Sequence, residues 1–249
     1  MMRARLEALI FDVDGTIADT EEMHRRAFNA AFASFGLEWH WDARLYGELL
    51  QITGGKERLA AYIERLPVTP AEQARLLGLV TALHAAKTAL YRELIERPHV
   101  CARPGIAPLM RQARAAGVRL AIASTTSPQN IAPLLAAVLD DANASWFDVV
   151  ASGDVVACKK PAADIYQFTL AALGLPPQRA MALEDSALGV RSAKAAGLFT
   201  VAWPNRWTAA QDFQAADLVL APSAAVWELE RLAAAHAAAA AGAMHVETA

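Results

Sequence analysis

The stretch Phe11-Asp12-Val13-Asp14-Gly15-Thr16 decides the fold. It continues the apolar run Ala8-Leu9-Ile10, and two carboxylates one residue apart stand where that run stops. A short apolar segment closed by a glycine turn predicts a buried strand over residues 9–13. Such a strand would deliver Asp12 and Asp14 to its carboxyl end. In open α/β sheets that edge is where ligands bind.

Outward from this strand the chain has two textures. Residues 20–97 read as helix after helix, with amphipathic spacing in AFNAAFASF, ARLYGELL, ERLAAYIERL and the long segment from Ala71 to Arg97. Thr69-Pro70 reads as a helix start, Thr as N-cap and Pro at the first helical position. Pro98 ends the block. From Pro104 strands and helices alternate: strands at 118–124, 147–151, 180–183, 199–203 and 218–220, with helices at 127–139, 161–173 and 186–196 and a last one at the C-terminus. Alternation of this kind implies a parallel sheet covered on both faces. The fold class is therefore α/β, a doubly wound parallel-sheet core with an inserted all-helical cap. The core is assigned to residues 1–19 and 99–249 and the cap to 20–98. The Ala-rich end, from about 236 to 249, is expected to fray.

The expected strand ends carry a consistent chemistry. Asp12, Asp14 and Asp185 offer hard anionic oxygens suited to magnesium, Mg2+. Carboxylates gathered so closely are costly unless a cation offsets them. Ser124 offers a hydroxyl, and Thr125 a backbone N–H ahead of a helix N-terminus, which together suit a phosphate. Lys160 adds a fixed positive charge, with Pro161 starting its helix. A carboxylate can accept a phosphoryl group when a metal and a lysine neutralise the charge. Taken singly, each group has an ordinary explanation. An Asp-x-Asp-Gly is commonly a turn, Ser-Thr-Thr-Ser and Glu-Asp-Ser are commonly N-caps, and Lys-Lys-Pro is commonly a solvated loop. Their joint placement at four strand ends is what singles them out.

Composition narrows the function further. The net charge of −3 gives no broad electrostatic footprint for nucleic acid or an anionic membrane, so neither partner is expected. No apolar stretch approaches the roughly 20 residues that span a bilayer, and no signal-peptide pattern opens the chain. Two cysteines, Cys101 and Cys158, read as free thiols in a reducing cytoplasm.

The segments FDVDGT, AIASTT, KKPAADIY and LEDSALGVRSAKAAG resemble the four motifs of the haloacid dehalogenase superfamily. The insertion after DGTIADTEEMH resembles the helical cap of its β-phosphoglucomutase-like subgroup. Lys159, where that family often has Gly, and Ala163, where Pro is common, depart from the pattern. Adjacency to Pro161 favours Lys160 over Lys159 as the acting lysine. HWDARLYGELLQITGGKERL and SGDVVACKKPAADIYQFTL further resemble the CbbY family of carbon-fixing bacteria. That resemblance implies a phosphatase converting xylulose 1,5-bisphosphate, an inhibitory by-product of Rubisco, to xylulose 5-phosphate.

The resemblance also implies roles. Asp12 attacks phosphorus, and Asp14 protonates the leaving oxygen and then activates water. Magnesium is held by Asp12, the backbone carbonyl of Asp14, and Asp185, with Glu184 direct or one shell behind. Ser124, Thr125 and Lys160 hold the transferring group. In the cap, Glu21 is placed to reach sugar hydroxyls, with His24 three residues on and Tyr46 a further candidate. Gly54, Gly55, Lys56 and Arg58 form a Gly-rich, cationic helix start suited to a second phosphate; a plain interhelical turn is the ordinary alternative. The enzyme is expected to act on a small phosphorylated sugar as a monomer. A β-phosphoglucomutase-like mutase and a phosphoglycolate or general sugar-phosphate phosphatase share these motifs. A receiver domain does not: it accepts phosphate at a later strand and has no cap.

Overall fold

In a computed structural model, residues 5–95, 100–139, 144–221 and 228–242 are described. The chain divides into two compact units, one of residues Met1–Asp19 with Val100–Ala249, the other of Thr20–His99.

The first unit is built on six parallel strands: β1 (Ala8–Phe11), β2 (Arg119–Ser124), β3 (Val149–Ser152), β4 (Ala180–Glu184), β5 (Phe199–Ala202) and β6 (Leu218–Val219). Their order is β3-β2-β1-β4-β5-β6. β1 and β4 are buried along their whole length, as strands covered on both faces must be. The order reverses beside β1, which pairs with β2 on one side and β4 on the other. Phe11 is in register with Ile122 and with Leu183. The residues just beyond those partners, Asp12, Ala123 and Glu184, therefore meet at one edge, the topological switch point of a doubly wound sheet.

Helices α6 (Ile106–Ala115), α7 (Pro128–Val138), α8 (Asp164–Leu173), α9 (Ala187–Ala195) and α10 (Leu229–Ala240) belong to the same unit. Ser186 caps α9, its side chain accepting from the Gly189 N–H, as its place before an apolar helix suggests. Two expectations are corrected here. Pro161 does not start α8, which begins at Asp164. The Ala162 N–H turns back to Lys159 O, and Ala162 O accepts from Ser192, so these backbone groups are already used. The C-terminal helix remains ordered past residue 236: it runs to Ala240, and His236 is buried against the Phe199 ring. The rest of the expected frayed tail, residues 243–249, lies outside the described residues.

The second unit is helical: α1 (Glu21–Ser34), α2 (Ala43–Leu49), α3 (Gly55–Glu64), α4 (Pro70–Gly78) and α5 (Val80–Ile95). Thr69 caps α4 by accepting from the Glu72 N–H, with Pro70 in the first turn. The helical segment expected over 71–97 holds two helices, α4 and α5, broken at Leu79. Gly78, the weakest helix former in that stretch, immediately precedes the break. Residues 96 and 97 lie outside the described residues. Phe28, Phe32, Trp41 and Tyr46 form the buried aromatic centre of this unit.

Candidate active site

β1 ends one residue before Asp12, and the chain turns at once. The Gly15 N–H donates to Ala18 O, and the Ile17 N–H to Val13 O. Gly15 has φ +84°, the left-handed region, and a Cβ there would run into the Asp185 and Asn205 side chains. The glycine is thus required twice, by its backbone angle and by the close approach. Asp12 is held at the sheet edge by its own N–H on Leu183 O, 3.0 Å.

Lys160 organises the centre. Its ammonium is buried and donates to Asp12 Oδ1 at 2.7 Å, Glu184 Oε1 at 2.6 Å and Ala123 O at 2.9 Å. All three donor positions of the ammonium are used. Lys159, by contrast, pairs with the exposed Asp154 at 2.9 Å. Burial by itself would push Lys160 down, but the Asp12 and Glu184 carboxylates outweigh it and hold the lysine above its usual range. Asp12 is pushed up to about 7, chiefly by burial, with Glu184 and Asp14 adding repulsion and Lys160 opposing.

Glu184 is fully buried. Its Oε1 also accepts from the Tyr166 hydroxyl at 2.5 Å, while Oε2 has no hydrogen-bond partner among the described residues. Asp12, Glu184 and Asp185 each place a carboxylate oxygen within 4.8 Å of the others. Three buried carboxylates against one lysine leave excess negative charge and an unsatisfied oxygen. That donor set of hard oxygens fits a divalent cation. The Asp14 side chain is not part of this trio; its Oδ2 accepts from the Thr126 hydroxyl.

Ser124 ends β2 and is buried. It donates to Thr126 Oγ1 at 3.2 Å and accepts from the Thr126 N–H at 3.3 Å. α7 starts only at Pro128, so Thr125 and its N–H sit in the approach loop, not in the first helical turn. The structure thus brings together Asp12, Ser124, Lys160, Glu184 and Asp185, with Asp14 joined to Ser124 through Thr126.

In the helical unit the candidate residues lie on α1, on α2 and at the start of α3. Tyr46 is buried and its hydroxyl donates to Glu21 Oε2 at 2.7 Å. His24 stacks on Tyr91 with centroids 4.0 Å apart, and its Nδ1 lies 2.6 Å from the buried Lys87 ammonium. Gly54 and Gly55 open α3, with Lys56 half-buried beside them. Arg58 is more committed than its sequence position suggests. Its guanidinium donates to Leu49 O and Ile52 O, at 3.1 and 3.2 Å, and lies over the Tyr46 ring.

Thr126, Tyr166 and Asn205 complete these contacts, and none was singled out in the sequence. Thr126 belongs to the Ser-Thr-Thr-Ser run that begins at the last residue of β2. Asn205 lies just beyond the carboxyl end of β5, where the strand-end rule would have found it. Tyr166 looks like any core residue of α8 until the register of the sheet sets it against Glu184.

Residues 6–197 match the haloacid dehalogenase-like hydrolase family. CbbY of Rhodobacter capsulatus is 49% identical over 85% of this chain and 91% of its own length. An Asp-to-Asn variant of CbbY from Rhodobacter sphaeroides, solved in complex with xylulose-(1,5)bisphosphate, is 46% identical with a TM-score of 0.80, over 86% of this chain and 93% of that one. β-Phosphoglucomutase from Clostridium difficile shares the fold at 21% identity, with a TM-score of 0.73 over 95% of this chain and 99% of that one. The family match spans both the strand ends around Asp12 and the helical insertion, and on that footing the chain belongs to the haloacid dehalogenase-like hydrolases and is a phosphatase.

Proposed function

We propose that this phosphatase is magnesium-dependent, works through an aspartyl-phosphate on Asp12, and hydrolyses xylulose 1,5-bisphosphate to xylulose 5-phosphate, relieving inhibition of Rubisco. The observation carrying the chemistry is the buried Lys160 ammonium bound to both Asp12 and Glu184, beside Asp185. The choice of sugar rests on the likeness to CbbY, whose variant holds that bisphosphate.

Asp12 attacks phosphorus, and the bond to the sugar oxygen breaks. Asp14, oriented by Thr126, gives its proton to that oxygen. The Asp14 carboxylate then takes a proton from water, which attacks the aspartyl-phosphate and restores Asp12. Lys160 offsets charge that develops on the phosphoryl oxygens, and Ser124 with the Thr125 N–H holds them. Asp12, Asp185 and the Asp14 carbonyl would hold magnesium, with Glu184 direct or just behind. When bound, the ion would neutralise the phosphoryl group and offset the crowded carboxylates.

Recognition of the rest of the substrate is assigned to the helical unit, in the role of a cap. Glu21, oriented by Tyr46, suits a sugar hydroxyl, and His24 is held for the same task by Tyr91 and Lys87. The α3 start, Gly54, Gly55 and Lys56, suits the second phosphate. Arg58 supports that loop by tying α2 to it, and Tyr46 serves as its platform. The enzyme is taken to act as a monomer in the cytoplasm on small phosphorylated sugars, with no nucleic-acid or membrane partner. Cys101 and Cys158 are both free and exposed. No described helix is long and apolar enough to cross a membrane.

A phosphate-release screen over sugar mono- and bisphosphates tests this. Xylulose 1,5-bisphosphate should give the highest kcat/KM, with stoichiometric phosphate and magnesium dependence. Isomerisation of a sugar monophosphate primed with its bisphosphate, with little free phosphate, would instead identify a mutase.

A further inference from the structure

Arg103 is a charged residue that the chemistry above does not use. It lies in the segment before α6, and only 7% of its surface is exposed. A buried guanidinium normally faces a carboxylate. Arg103 instead donates to three backbone carbonyls: Gly15 O at 2.7 Å, Trp203 O at 2.7 Å and Pro204 O at 2.9 Å. Its Cζ lies over the Trp203 ring, 3.3 Å from the centroid. Its own N–H donates to Ile17 O at 2.8 Å.

These carbonyls belong to two loops, the turn after β1 and the segment after β5. Asp185 sits against both. Asn205, next to Pro204, donates to Asp185 Oδ2 at 2.7 Å and reaches Gly15 O at 3.5 Å. Thr16, next to Gly15, reaches Asp185 Oδ1 at 3.5 Å. Each oxygen of Asp185 is therefore oriented by a residue adjacent in sequence to a carbonyl that Arg103 holds.

We infer that Arg103 is the positioning residue of the metal site. It clasps the Gly15 turn to the 203–204 segment and so sets Asn205 and Thr16 on the Asp185 carboxylate. A guanidinium is suited to this because its planar fork can serve several acceptors at once, and it stacks on an indole face. A lysine ammonium is a compact point charge without this planar fork. This assignment rests on the proposed magnesium site at Asp12 and Asp185.

The test measures magnesium binding to the whole protein by its concentration-dependent rise in melting temperature, alongside the magnesium half-saturation of phosphate release. Arg103→Lys, Arg103→Met and Asn205→Ala are compared with the wild type, and Leu109→Ala in α6 serves as a packing control. Loss of an outer-shell partner commonly lowers metal affinity by about 10- to 100-fold. The half-saturating magnesium concentration should rise by about that factor in the Arg103 and Asn205 variants by both readouts. KM for the sugar phosphate at saturating magnesium should stay within about two-fold of the wild type, and Leu109→Ala should lower stability without changing magnesium half-saturation. Wild-type protein that gains no stability from magnesium would sink the metal site itself. A normal wild-type response with unchanged half-saturation in a folded Arg103→Lys or Arg103→Met variant would overturn only the role of Arg103. Failure of both Arg103 variants to fold even in saturating magnesium would also overturn it, making Arg103 a strut of the fold.

Discussion

A single methyl group added at Gly189 should dismantle the charge cluster around Lys160. Gly189 lies in the first turn of α9, and a Cβ built there overlaps the carboxyl carbon and both oxygens of Glu184. Glu184 is fully buried. To rotate away it must give up the contacts of Oε1 with Lys160 and Tyr166. Two effects of Gly189→Ala then compete. Alanine improves helix propensity by up to about 1 kcal/mol. Breaking a buried ion pair costs about 3–5 kcal/mol, because a charge is left uncompensated. The net loss is about 2–4 kcal/mol, or roughly 4–16 °C in melting temperature for a chain of this size. Thermal unfolding and phosphate release read the two consequences, and turnover should fall with stability because Lys160 loses one of its anchors. The decisive control is a double-mutant cycle: with Glu184→Ala in place, Gly189→Ala should cost almost nothing more. A stabilised Gly189→Ala with unchanged turnover, or costs that simply add, would refute the steric link.

The remaining predictions concern single groups. Asp12→Asn should abolish phosphate release while leaving the melting curve of the chelated protein cooperative; wild-type turnover in that variant would remove Asp12 as nucleophile. Lys160→Met should lower kcat by about 10²- to 10³-fold, the scale of losing a key electrostatic donor, whereas Lys159→Met should leave it within about two-fold; equal losses would contradict the assignment of Lys160. Without metal, Asp12 titrates near 7 in the folded protein against 3.8 unexposed to that environment, so the folded state binds the proton more tightly. The associated stability is fully present below 3.8 and is lost as pH rises through about 7. Between pH 6 and 8 in chelator this amounts to about 1 kcal/mol, visible as a falling melting temperature that Asp12→Asn should flatten. Lys56→Ala should lower kcat/KM for a bisphosphate by about 10- to 150-fold, the scale of one charge-assisted contact, and a monophosphate far less; Arg58→Ala should affect both alike.

Much of the protein is legible from its sequence because the deciding signals are local. A strand that ends in Asp12-Val13-Asp14-Gly15, a Thr69-Pro70 helix start and a Ser186 cap each depend on neighbours within a few residues, and the alternation after Pro104 implies a parallel sheet. Strand ends in such a sheet share one edge, so Asp12, Ser124, Lys160 and Asp185 could be gathered before any coordinates. Local signals misplace what depends on distant partners. Pro161 looks like a helix start, but Ser192 claims the Ala162 carbonyl. Arg58 looks like a free cation beside a Gly-Gly pair, but Leu49 and Ile52 carbonyls take two of its donors. How the buried charges are satisfied depends on contacts that form only in the assembled fold. Tyr166 meets Glu184, Arg103 joins loops that follow β1 and β5, and Gly189 yields its side-chain volume to a carboxylate. A buried charge must find its partners in three dimensions, and burial itself arises only when the sheet and its helices close around it.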